Sequence, residues 1–110
     1  MFIARWQLTT RFGKTDECVA ILRNWERDVG QRVGWKPGSV RLYTGHIGAP
    51  QTAVEFEVRF DDLNDLQSAW NDLERTPAHK DYLKQLEPLV VDGKSGWTVF
   101  RDVDVVPSGD

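Results

Sequence analysis

Cysteine is almost missing from this sequence: Cys18 stands alone among 110 residues, so no disulfide can close within the chain. That fits a reducing compartment. Cys18 falls inside a helical apolar pattern and reads as a small buried hydrophobe, not a reactive thiol. Runs of positive charge are missing too. No Lys or Arg adjoins another, and the formal net charge is −3. Proteins that track phosphates need clustered cations to release counterions, so nucleic acid is not an expected partner. No apolar run approaches the ~20 residues of a membrane span. The opening MFIARWQL places Arg5 within its apolar stretch and offers no small-residue cleavage site. The expectation is a cytoplasmic protein with no membrane partner. Histidine is scarce as well, with only His46 and His79, and neither H-x-x-x-H nor H-E-x-x-H occurs. No built-in metal site is expected. Gly45 and Gly48 are too sparse for a phosphate loop, G-x-S-x-G is absent, and no cofactor is expected.

What the chain has in quantity is aromatic rings: five Trp, five Phe and two Tyr. Such rings fill cores, but they also line pockets and interfaces. A hydrophobic share of 40% and a charged share of 28% are those of an ordinary folded domain. The length suits one domain, taken as residues 1–106, with 107–110 as a frayed tail.

Apolar periodicity divides the chain. Phe2, Ala4, Trp6 and Leu8 alternate with Ile3, Arg5 and Gln7, a half-buried strand. Thr15 is placed to cap a helix whose first turn holds Asp16 and Glu17. Cys18, Ile21, Leu22, Trp25, Val29 and Val33 form its apolar stripe, and Gly34 its stop. Val40, Leu42 and Thr44 mark a second strand, and Val54, Phe56, Val58 and Phe60 a third. Asp61 or Asp62 caps a helix bearing Leu63, Leu66, Trp70 and Leu73. Thr76-Pro77 breaks it and starts another with Tyr82, Leu83 and Leu86 inward. A last strand is expected from Trp97 to Val105.

This order is the split βαβ pattern, an α+β, ferredoxin-like βαββαβ sandwich with an antiparallel four-stranded sheet and helices on one face. Right-handed crossovers set the first and third strands side by side at the centre. The other sheet face then carries Ile3, Arg5, Arg41, Tyr43, Glu55, Glu57, Arg59 and Phe100. Two readings stay open for it: a solvated face, or a surface that meets its own copy across a two-fold axis. Glu55 and Glu57 lie close enough to perturb each other, but an ion-pair network with Arg5 and Arg41 is the preferred reading.

From Phe56 onward, FEVRFDDLNDLQSAWNDLERTPAHKDYLKQLEPLV followed by GWTVFR resembles the dimeric α/β-barrel superfamily, its NIPSNAP-like branch and antibiotic-biosynthesis-monooxygenase-like relatives. The resemblance implies a homodimer whose sheets pack face to face. It also implies kinship with cofactor-independent monooxygenases of aromatic or quinol substrates and with haem-degrading ones, beside many members of unknown function. Haem-degrading relatives gather an asparagine, a tryptophan and a histidine. Trp70, Asn71 and His79 are present here but do not align with that motif, and Asn71 is expected to point away from Trp70's helix face.

His79 and His46 are the candidates for acid–base work, each against the alternative of an idle surface histidine. Trp6, Trp25, Phe56, Trp70 and Tyr82 are the candidates for a ligand pocket between sheet and helices, against the alternative of plain core. Three functions are carried forward: a dimer that binds a small, partly apolar or aromatic molecule, a cofactor-independent monooxygenase, and a structural or accessory dimer.

Overall fold

The computed structural model describes residues 1–106; the tail expected to fray, 107–110, lies outside the described residues. Strand β1 (Phe2–Thr9) leads to helix α1 (Thr15–Trp25). Strands β2 (Val40–Thr44) and β3 (Ala53–Phe60) form a hairpin. Helices α2 (Leu63–Glu74) and α3 (Pro77–Leu86) follow, and β4 (Gly96–Arg101) completes the sheet. The sheet order is β2-β3-β1-β4 with every pairing antiparallel. This is the ferredoxin-like α+β fold, with β1 and β3 at its centre. Their register sets Ala4 opposite Val58, Trp6 opposite Phe56 and Leu8 opposite Val54. Because facing residues share a sheet face, one face is apolar along both central strands. It is closed by Cys18, Leu22, Trp25 and Val29 from the first helical stretch and by Leu66, Ala69, Leu73 and Leu86 from the later helices.

Local signals and observed ends agree where a side chain has one job. The Asp62 carboxylate accepts from the Asn64 amide and starts α2, and Pro77 occupies the first turn of α3. Elsewhere tertiary contacts win. Thr15 does not cap α1. It is the first helical residue, with Lys14 at the cap position, and its hydroxyl instead donates to the Gln51 carbonyl at 2.9 Å and lies 2.8 Å from the Thr10 hydroxyl. The helix expected to reach Gly34 is α-helical only to Trp25. A π-helical turn then spans Glu26–Gly30, marked by Gln31 N–H donating to the Glu26 carbonyl and Trp35 N–H to the Gly30 carbonyl. Gly34 does supply the stop, at φ +94°. β4 ends at Arg101 and not at Val105, because Arg101 pairs with Phe2, where β1 begins. Beyond Asp102, whose amide donates to the Met1 carbonyl, no strand remains to pair with, and Val103, Val105 and Val106 are exposed.

Cys18 is fully buried, and desolvation pushes its thiol up to about 11, so it stays protonated and packs as a hydrophobe. Gly45, where β2 ends, is a position of close approach: a Cβ there would lie 1.8 Å from the Pro50 carbonyl oxygen. Gly45→Ala is therefore expected to force the hairpin loop open and cost about 1–3 kcal/mol. Urea unfolding would check it against Gly38→Ala, where a Cβ meets nothing within 4 Å.

Candidate functional site

A cleft of about 430 Å³ opens between the β4 side of the sheet and helices α2 and α3. Its walls are tryptophan. Trp6 on β1 and Trp97 on β4 face each other in register and stack, with centroids 5.9 Å apart and planes 6° from parallel. Trp70 from α2 meets the Trp97 ring at 66°, and Trp25, the last residue of α1, tilts against Trp6. Helical spacing brings Gln67, Asn71 and Glu74 of α2 to the rim, while α3 contributes His79 and Leu83.

His79 is the group with the most defined chemistry. The indole Nε1–H of Trp25, itself 1% exposed, donates to His79 Nδ1 at 3.0 Å. The imidazole is part-buried, and desolvation lowers its pKa from the ordinary 6.5. Protonation would add a cation where water is scarce and turn Nδ1 into a donor facing a donor. The unfolded chain therefore takes up the proton first as pH falls. The stability that His79 contributes is complete above about 6.5 and declines below it, until the folded form protonates as well. His79→Gln should flatten the fall in urea midpoint of the parent between pH 7.5 and pH 5. Equal slopes in parent and variant would contradict this assignment.

The candidates named from sequence separate here. Trp6, Trp25, Trp70 and His79 share the cleft. Phe56 lies outside it, fully buried beneath Trp25, whose ring it meets edge-on at 5.3 Å. Tyr82 also lies outside it. Its hydroxyl donates to the Asp28 carboxylate, a bond that raises the pKa of Tyr82; Asp28 is lowered by Arg27 first and by Tyr82 second. His46 sits at the other end of the sheet, in a depression of about 670 Å³ walled by turn residues such as Gly13, Pro50 and Gln51. A third hollow of about 550 Å³ runs past Met1, Val33–Lys36 and Arg59–Asp61. Neither of these larger hollows gathers a side-chain constellation like the tryptophan cleft. Asn71, expected to point away from Trp70's face, lines the same cleft as Trp70 and His79, its Oδ1 accepting from Gln67 Nε2 at 3.1 Å.

Two aromatic participants, and the rim residues Gln67 and Glu74, were not named from sequence. Trp97 reads there only as the start of a strand. Trp35, 2% exposed, packs against Trp25, Phe56, Phe60 and Trp97 and so backs the cleft. It follows Gly34 in a turn, where no apolar period marks it.

The open sheet face carries a polar cluster. Arg5 donates through Nε and Nη2 to Glu57 Oε1 at 3.2 and 3.1 Å, and Tyr43 donates to Glu57 Oε2 at 3.0 Å. A looser contact of 3.7 Å joins Arg5 to Glu55. The Arg5 guanidinium also lies over the Tyr43 and Phe100 rings, at 5.8 and 5.9 Å. The expected pairing of Arg5 with both glutamates is present. Arg41, although opposite Glu57 in register, makes no ion pair among the described residues. Ile3 is part-exposed, and Arg59 and Phe100 are exposed.

No protein-family model matches the chain, and no curated protein matches its sequence. Solved structures do share its fold. Protein Atu4242 of Agrobacterium tumefaciens superposes with a TM-score of 0.78 at 14% identity, covering 97% of this chain and 98% of its own. A NIPSNAP family protein of the same organism gives 0.71 at 18% identity, covering 98% of each chain. SnoaB, a cofactor-independent oxygenase of Streptomyces nogalater, crystallised as an asparagine-to-alanine mutant, gives 0.68 at 12% identity and 97% of each chain. At such identities the likeness establishes the fold, and the chain is an α+β protein of the ferredoxin-like form shared by NIPSNAP proteins and antibiotic-biosynthesis monooxygenases.

Proposed function

We propose that this protein binds a small, flat, partly apolar molecule in the tryptophan cleft between sheet and helices. The observation that carries this reading is the grouping of Trp6, Trp25, Trp70 and Trp97 with His79 around about 430 Å³ of open space. Pockets for small ligands have this make-up, apolar and aromatic walls with a few placed polar groups. A thermal-shift panel of quinones, flavins, haem and fatty acids should yield at least one stabiliser. Trp70→Ala should then weaken that compound by about tenfold, since it removes a large stacking surface. No stabiliser anywhere in the panel would favour an accessory or structural role instead.

A second reading is a cofactor-independent monooxygenase acting on an aromatic or quinol substrate. It is favoured by the shared fold with an oxygenase of that kind and by a ring-lined cleft that holds a neutral histidine. Oxygen uptake with anthrone-type substrates should fall when Trp70 or His79 becomes alanine; rates unmoved by both would discard it. In either role the protein acts as a cytoplasmic homodimer. The support for the dimer is the sheet face on which Glu57 already has its partners, leaving Tyr43 and Phe100 as exposed rings. Light scattering that returns a monomer would remove the dimer and leave the cleft untouched.

A further inference from the structure

Trp25 decides which hydrogen bond His79 can offer. An indole N–H donates and never accepts. With the Trp25 Nε1–H directed at His79 Nδ1, 3.0 Å away, Nδ1 must hold a lone pair and the neutral ring must carry its proton on Nε2. No protein group bonds Nε2 among the described residues, and the ring lines the cleft. We propose that His79, oriented by Trp25, is a hydrogen-bond donor to the cleft, and that the ligand it takes is a neutral, flat ring system bearing a carbonyl oxygen. This rests on the small-molecule reading of the same cleft and narrows it to a ligand class.

The neighbouring polar groups agree. Gln67 gives one of its two amide N–H donors to Asn71 Oδ1, and because that bond uses the Asn71 oxygen, the Asn71 amide N–H groups remain as further donors at the rim. Among the described residues the one acidic side chain lining the cleft is Glu74, exposed at its edge, and it opposes an anionic ligand. Donors, apolar walls and a repelling carboxylate together suit a carbonyl better than a carboxylate or phosphate. The geometry also sets aside a general-base role for His79 as it stands. Nε2 already carries a proton, and Nδ1 could accept one only by giving up Trp25. Trp25 is thus a positioning residue, acting on the ligand through His79.

Long-range proton–nitrogen NMR on labelled protein tests the first half, with His46→Gln to identify the His79 signals. The Nε2–H tautomer is expected, and Trp25→Phe, which keeps a ring but loses the donor, should give a mixture of tautomers. An Nδ1–H tautomer in the parent overturns the proposal whether or not that variant folds. Equilibrium dialysis with 9-fluorenone and fluorene, which share one frame and differ in the carbonyl, tests the second half. Fluorenone should bind about five- to tenfold tighter, the effect of one neutral hydrogen bond, and His79→Phe should abolish the difference, leaving fluorenone no tighter than fluorene in the variant. Equal binding of the two compounds overturns the proposal while the small-molecule reading stands. Binding of neither overturns this ligand class, and the small-molecule reading falls with it only if the thermal-shift panel is silent as well.

Discussion

Phe56→Ala will remove about 3–5 kcal/mol of folding stability, the usual cost of emptying an aromatic site in a core. Phe56 is fully buried, lies on the central strand β3, and meets Trp25 edge-on and Trp35 at 5.8 Å. Both indoles would lose their floor, and the surrounding sheet cannot collapse to refill the space, because Val54 and Val58 on the same strand are held in register by β1. For a chain of this size that loss corresponds to a fall in melting temperature of more than about 10 °C. The comparison is Tyr82→Phe, which keeps the ring, removes only the part-buried hydroxyl bonded to Asp28, and should cost no more than that one hydrogen bond, well short of the loss in Phe56→Ala. Loss of ligand with unchanged stability in Phe56→Ala would place Phe56 in the cleft and not beneath it. Because Phe56 supports Trp25, the stability loss should come with a disturbed His79, visible in the same NMR signals that report its tautomer.

The division between Phe56 and its neighbours shows where sequence reasoning reaches and where it stops. β1 and β3 alternate in period two, and their faces follow at once, because a strand's side chains have only two directions. The crossover rule then brings β1 beside β3, and so Arg5 beside Glu57, with no further information. Depth within the apolar face is another matter. Phe56 and Trp6 sit opposite each other in register, yet one is sealed under α1 and the other borders the cleft. What separates them is the position of Trp25 and of the helices above, a tertiary fact that no period encodes. Tyr82 fails as a candidate for a related reason: its ring lies on the α3 face that meets Asp28, just past α1, and not on the one that meets α2. The π-helical turn hides because Val29 and Val33 keep an α-helical spacing across it. Trp35, in a turn, has no pattern at all.

Arg5→Ala will cost about 2–3 kcal/mol, a large effect for a residue on the open face of a sheet. The Glu57 side chain is 2% exposed, while that of Arg5 is 36% exposed. Two of the three hydrogen bonds on the Glu57 carboxylate come from Arg5, and the third comes from Tyr43. Without Arg5 the charge keeps one donor in a place with almost no water, and an orphaned buried charge costs several kcal/mol. Partial exposure of Arg5 lowers the figure, since water enters where the guanidinium leaves. Glu57→Gln in the same chain should recover most of the loss, because the amide still accepts from Tyr43 and brings no charge to strand. Urea unfolding of the single and double variants gives the coupling directly, and an Arg5→Ala cost below about 0.5 kcal/mol would mean that the face is simply solvated. Repeating the titrations across a range of protein concentrations separates this internal term from assembly. A homodimer unfolds at a higher midpoint when more concentrated, whereas the Arg5–Glu57 coupling, complete within one protomer, should not change with dilution.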